Sequence, residues 1–170
     1  MPNFIKSYVK WVEKINRVVG RFAMYMVLAM IAILLYATIS RGVFNMPVIW
    51  AVELAQFTMA AYYLLGGGYS LQNRAHVRMD VFYSNWSMTT RAKVDVVTSV
   101  FLIFYMLVLL YGGWGSTEYA IKYDTHKNSS WGPAMAPIKV IMTTGIFLML
   151  LQVFATFFRD IATARGEDIS

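Results

Sequence analysis

The sequence has no cysteine and few charged residues. The absence of cysteine from the 170 residues excludes disulfide bonds, thiolate nucleophiles and cysteine metal sites. Only 14% of the residues are charged, whereas 58% are hydrophobic. Helices of such a composition are apolar on every side and must be buried on every side. These proportions therefore exclude most classes of water-soluble protein.

The charged residues are missing from four long stretches of the chain. Residues 22–40, 54–73, 96–117 and 140–158 contain no Asp, Glu, Lys or Arg, and they are 19, 20, 22 and 19 residues long. Each is long enough to cross a hydrocarbon core about 30 Å thick, since a helix rises about 1.5 Å per residue. The sequence therefore predicts an all-α integral membrane protein with four transmembrane helices in one membrane domain, residues 1–170.

The distribution of Lys and Arg predicts the orientation of these helices. The N-terminal segment, the connection after the second span and the tail 159–170 together hold 11 of the 15 basic residues. Basic residues accumulate on the cytoplasmic side of a membrane, so both termini are expected there. Membrane orientation and anionic headgroups account for the net charge of +6, and no nucleic-acid partner is expected.

Residues 3–20 differ from the spans because apolar and charged side chains alternate at helical spacing. This pattern is typical of an amphipathic helix in the cytoplasmic interface, with Trp11 at the depth of the headgroups. The alternative is a frayed, charged tail. The basic residues expected to face lipid headgroups, here and in the second connection, are Lys6, Lys10, Lys14, Arg17, Arg21, Arg74 and Arg78.

The predicted spans contain no ionisable residue of the kind that carries chemistry inside a membrane. A haem anchor would need histidines there, but His76 and His126 both lie in connections. No internal repeat typical of a transporter is visible. Glu53 begins a span, where an ion pair with Arg41 or a capping role is expected. The glycines at 66–68 are expected to permit close helix packing.

The connection after the first span has a pattern found in a known family. Residues 41–54 read Arg-Gly-Val-Phe-Asn-Met-Pro-Val-Ile-Trp-Ala-Val-Glu-Leu. They closely resemble the corresponding segment in the small membrane subunit of tripartite ATP-independent periplasmic (TRAP) transporters, roughly Arg-Tyr-x-Phe-Asn-x-Pro, then Trp and Glu-Glu-Leu. The resemblance covers about residues 15–160. The residues that carry it are Arg41, Phe44, Asn45, Pro47, Trp50, Glu53, Gly66, Gly68, His76, Asp80, Trp131, Pro137 and Gln152.

The chain departs from the family pattern at two positions in this connection. Gly42 stands where the family has an aromatic residue, and Val52 replaces the first acid of the Glu-Glu pair. Glu53 is therefore the one acid left at this point of the pattern.

The resemblance implies a non-catalytic subunit in the bacterial inner membrane. In this family the small subunit extends the static scaffold of a large membrane subunit of about twelve spans, which carries the sodium and substrate sites and moves by an elevator motion. A periplasmic binding protein delivers the substrate, commonly an organic acid. No cofactor is expected in this chain. The glycine-bearing faces of the second and third spans are expected to pack on the large subunit. The charged residues expected to help dock the binding protein are Glu118, Lys122, Asp124 and Lys127.

Two other functions are compatible with the composition. The first is a small oligomeric exporter that works alone and uses Glu53 as its coupling acid. The second is a membrane anchor for a peripheral enzyme. Neither explains the pattern at residues 41–54.

Overall fold

The computed structural model of the chain describes residues 3–73 and 88–164. These residues form four helices, α1 (Asn3–Phe44), α2 (Ile49–Gln72), α3 (Met88–Lys122) and α4 (Ala136–Ala164). The predicted all-helical fold is confirmed for this part of the chain. Each predicted span lies within one helix, except that Asn73 caps the end of α2. Among the described residues, α1, α3 and α4 are long and apolar enough to cross a membrane.

The helix α2 differs from the other three in composition. Its 24 residues extend for about 36 Å, which is long enough to cross a membrane. It is not among the helices that are also sufficiently apolar, since it contains Glu53, two glutamines and several tyrosines and glycines. It packs against both α1 and α4, so protein atoms cover much of its surface.

The helix α1 is continuous over 42 residues, about 63 Å. The separate interfacial helix predicted for residues 3–20 is not confirmed, because the helix runs through Gly20 into the predicted first span. The helix contains no proline, and an internal glycine such as Gly20 lowers helix stability by only about 1 kcal/mol. The apolar side of this segment also packs within the chain, since Val9 and Val12 are buried against Ala155 of α4.

The helix α4 contacts each of the other three and forms the centre of the fold. At one end of the bundle, Arg159 near the end of α4 forms an ion pair with Glu13 near the start of α1. The ends of the described chain therefore lie together, and we call this the inner end. At the opposite, outer end, residues 45–48 connect α1 to α2 and residues 123–135 connect α3 to α4.

Two glycines allow close contacts around α4. A methyl group added to Gly145 of α4 would lie 2.9 Å from the backbone carbonyl carbon of Leu64 in α2. Gly67 of α2 faces Met149 of α4 in a similarly close contact. The expectation that the glycines of the second span pack on another subunit is wrong for Gly67, because it contacts this chain's own α4.

The glycines of α3 divide into two groups. Gly113 lies against Thr143 of α4, whereas nothing lies within 4 Å of a methyl group added to Gly112 or Gly115. Gly112 and Gly115 therefore have no packing role within the described part of the chain.

We expect Gly145→Ala and Gly115→Ala to change stability in different ways. The first should lower the free energy of unfolding by about 1–3 kcal/mol, because the α2 backbone must move to admit the methyl group. The second should leave stability unchanged or raise it, since alanine has the higher helix propensity and the position is open. Detergent unfolding of the purified chain measures both. Equal destabilisation would contradict the close contact at Gly145.

Candidate functional site

The first residues of the resemblance pattern at 41–54 form the last turn of α1, which ends at Phe44 at the outer end. Asn45, directly after α1, has a φ of 52°, a left-handed conformation that asparagine adopts more readily than most residues. The Ser40 hydroxyl donates a hydrogen bond to the Met46 carbonyl oxygen at 3.0 Å, and the Met46 N–H donates to the Ser40 carbonyl oxygen at 3.1 Å. Pro47 then follows, where a helix cannot continue. Asn45 and Pro47 thus have a structural reason to be in the pattern.

Trp50, one of the two aromatic residues in this pattern, holds α2 against α1. Its ring stacks on Tyr36, with the ring centroids 6.2 Å apart and the planes 22° apart. The two rings lie on either side of the connection 45–48 and fix the angle at which α2 leaves it. Arg41 and Phe44 are instead exposed on the last turn of α1.

The connection 123–135 is a compact turn and not a helix. The Lys127 N–H donates to the Pro133 carbonyl oxygen at 3.1 Å, and the Met135 N–H donates to the Thr125 carbonyl oxygen at 2.9 Å. Gly132 has a φ of 58°, which glycine adopts without steric cost. The Lys127 ammonium also reaches α2, where it donates to the Gln56 side-chain oxygen at 2.8 Å.

The two outer connections meet around a cavity of 430 Å³. Pro47 and Trp50 line it from one side, and Ser130 and Trp131 line it from the other. The structure thus brings together residues of the resemblance pattern that are some eighty positions apart in the sequence. Pro137 is exposed in the first turn of α4.

Glu53 is not placed as the sequence analysis expected. Its side chain is buried, at 9% exposure, and Oε2 has no hydrogen-bond partner among the described residues. Within residues 3–73 and 88–164 it forms no ion pair with Arg41, whose side chain is exposed. Nor does it cap α2, which begins at Ile49 without a side-chain capping bond. The expected ion pair or cap is wrong because Glu53 lies one turn inside the helix.

The inner end contains a buried polar contact that sequence reasoning missed. Asn16 Nδ2 donates to Gln152 Oε1 at 2.9 Å, and both residues are completely buried. Gly68 of α2 completes the contact, since a methyl group there would overlap Asn16 Oδ1. Gln152 and Gly68, which belong to the resemblance pattern, thus meet α1 at one point.

Two further contacts fix the start of α1 on α4. Glu13 pairs with Arg159, as described above, and the Tyr8 hydroxyl donates to the Leu151 carbonyl oxygen at 3.2 Å. The Tyr8 ring also meets Phe158 edge to face, with the centroids 6.3 Å apart. A signal for Asn16 exists in the sequence, since it falls at helical spacing on the apolar side that contains Val9 and Val12.

The predicted lipid-facing and docking residues are only partly described. Lys10, Trp11, Lys14, Arg17 and Arg21 are exposed on α1, and Lys6 is half-buried.

At the outer end Lys122 and Asp124 are exposed, with the Lys122 ammonium 5.7 Å from the centre of the Tyr123 ring. Gly66 makes ordinary contact with Ala23. The predictions for Arg74, His76, Arg78 and Asp80 fall outside the described residues.

The architecture is that of a small helical membrane protein built around one central helix. Residues 30–163 match the family described as tripartite ATP-independent periplasmic transporters, DctQ component. The chain belongs to this family, which confirms the resemblance seen in the sequence. This is a family of transporter components and not a family of enzymes. No curated protein matches the chain.

We expect Asn16 and Gln152 to be energetically coupled. In a double-mutant cycle of Asn16→Leu and Gln152→Leu, the coupling energy should be about 0.5–1.7 kcal/mol, because either single change leaves a buried polar group without its partner. The measurement is detergent unfolding of the four proteins. Thr38→Val is the control, since its hydroxyl bonds only the Leu34 carbonyl oxygen of its own helix. The contact would be disproved if Asn16→Leu were as additive with Gln152→Leu as with Thr38→Val.

Proposed function

We propose that the chain is the small membrane subunit of a sodium-coupled TRAP transporter and forms part of the static scaffold for a large elevator-type subunit. Membership of the DctQ family supports the general role. The scaffold role rests on the distribution of buried surface among the helices. Only 6% of the most apolar stretch of α1, and 6% of that of α3, is buried within the chain, compared with 44% for α4.

These proportions suit a protein that supports a partner. The central helix α4 is covered by the other three, whereas α1 and α3 leave most of their apolar surface free for a partner or for lipid. The ion pair Glu13–Arg159 and the contact Asn16–Gln152 join the first and last helices. Such interhelical polar contacts favour one fixed arrangement, as a static scaffold requires.

The proposed topology has four membrane spans, including α2, with both termini in the cytoplasm of a bacterial inner membrane. The inner end would then face the cytoplasm. Support comes from the exposed residues Lys10, Lys14, Arg17 and Arg21, which recur along one side of α1 at helical spacing. Basic side chains in that position are attracted to the anionic cytoplasmic leaflet.

Substrate and sodium are assigned to the partners of this chain. We place the sodium and substrate sites in the large subunit, and propose an organic acid that a periplasmic binding protein delivers. The outer end would face the periplasm, where Lys122, Asp124 and Lys127 offer charges for docking that protein.

A pull-down of the tagged chain in mild detergent tests the proposed assembly. We expect a one-to-one complex with a larger membrane protein, identified by the intact mass of what elutes. Recovery of a homo-oligomer alone would contradict the scaffold role.

The docking role of the outer end has its own test. Lys122→Glu should raise, by about two- to fivefold, the concentration of binding protein that gives half-maximal uptake into proteoliposomes, the scale expected for one exposed charge contact. Lys127→Glu should do the same. Lys93→Glu, at the opposite end of α3, is the control. Gln56→Leu removes the internal partner of Lys127 while keeping its charge, so a change as large as that of Lys127→Glu would indicate disruption of the connection instead of docking.

One observation favours the alternative of a self-sufficient exporter. Glu53 is buried and has an oxygen without a hydrogen-bond partner in the described part of the chain. Liposomes containing this chain alone separate the two functions. Transport that Glu53→Gln abolishes would establish the exporter, and no transport is expected from the scaffold subunit.

A further inference from the structure

A groove between α3 and α4 near the outer end is lined in part by Lys122, which is also a proposed docking residue, but its apolar walls have no role in the proposed scaffold. It has a volume of 690 Å³, which is within the range of ordinary ligand sites. Trp114 and Ile121 line it from α3, and Val140 and Thr144 line it from α4. Trp114 and Ile121 are 69% and 61% exposed, so the groove opens on the side of the bundle.

The polar groups in the floor of the groove are occupied by the protein itself. The Thr117 hydroxyl lies 2.8 Å from the Gly113 carbonyl oxygen and 2.8 Å from the Thr143 hydroxyl. The Thr143 hydroxyl is also 3.1 Å from the Gly113 carbonyl oxygen, and the Thr144 hydroxyl donates to the Val140 carbonyl oxygen at 2.8 Å. A ligand therefore meets mainly methyl groups and rings, which suit an acyl chain.

The lining of the groove also contains two opposite charges. Glu118 and Lys122 are one helical turn apart on α3, and both are exposed. Within the described residues they form no ion pair with each other or with another side chain. Side chains four positions apart on a helix lie on the same face, with Cβ atoms about 5–6 Å apart, so one ligand can reach both charges.

We propose that this groove binds one zwitterionic phospholipid with a primary ammonium group. The phosphate pairs with the Lys122 ammonium, the lipid ammonium donates hydrogen bonds to the Glu118 carboxylate, and an acyl chain lies between α3 and α4. The charge pattern favours this headgroup over an anionic one, because a glycerol headgroup offers no cation to Glu118. The site depends on α3 and α4 alone, so it does not rest on the proposed function.

Native mass spectrometry tests the preference for headgroup. The full chain, in whatever complex it purifies, is stripped of lipid and titrated with phosphatidylethanolamine, phosphatidylglycerol or phosphatidylcholine. We expect one lipid to be retained, with phosphatidylethanolamine preferred over both others. Glu118→Gln and Lys122→Gln should each lower its retention by about two- to fivefold. Asp124→Asn and Lys93→Gln are the controls, since they remove the same charges outside the groove and should retain the lipid. Equal retention of the three lipids would overturn the proposal.

A second measurement locates the lipid. Brominated acyl chains quench tryptophan fluorescence on contact, so brominated phosphatidylethanolamine should quench wild type more than Trp114→Phe. Thr144→Phe, which fills the groove, should remove that difference and the retained lipid together. A photocrosslinking residue at position 144 is expected to label lipid. Crosslinking to a protein partner would overturn the proposal, because a helix of that partner would then occupy the groove.

Discussion

The close approach of α2 to α4 at Gly145 is the constraint on which the rest of the bundle depends. There the side of α4 meets the backbone of Leu64 with no room for a methyl group. This proximity brings Gly68 of α2 to the level of Gln152 of α4, and so creates the buried space that Asn16 fills. The position of α1 therefore follows from the contact between the other two helices. A larger residue at 145 would act on all three.

Polar contacts between helices give this packing its specificity. Apolar side chains pack on lipid about as readily as on another helix, so apolar surface alone does not set the register of helices in a membrane. Hydrogen bonds do, because a buried polar group without a partner is costly. Asn16–Gln152 sets α1 against α4, and Thr117–Thr143 sets α3 against the same helix. Both contacts use α4, in agreement with its central position.

The sequence predicted where the helices lie better than what they touch. The charge-free stretches located all four helices, and the pattern at residues 41–54, combined with His76 and Asp80, identified the family. The ion pair or cap expected for Glu53 from its position at the start of a span was wrong, since that position does not reveal whether an acid is exposed or buried one turn inside the helix. The glycines of α2 and α3 show the same limit. Gly67 and Gly115 both lie in glycine-rich stretches of a predicted span, but Gly67 faces Met149 and Gly115 faces open space.

The N-terminal segment illustrates a second limit. Amphipathic spacing over residues 3–20 is produced equally by a helix lying on a membrane and by one packed against another helix. The distinction lies in partners far away in sequence, and here Val9 and Val12 face Ala155 while Glu13 pairs with Arg159. No local property of the segment contains that information.

The outer connection 123–135 links the proposed docking surface to the rest of the bundle. It joins α3 to α4 directly, and Lys127 ties it to Gln56 of α2. Its own backbone hydrogen bonds, from the Lys127 N–H to the Pro133 carbonyl oxygen and from the Met135 N–H to the Thr125 carbonyl oxygen, keep it compact. A protein that docks there would load three helices together and could not displace the turn alone. A turn tied to three helices in this way suits the proposed scaffold role better than the role of a moving gate.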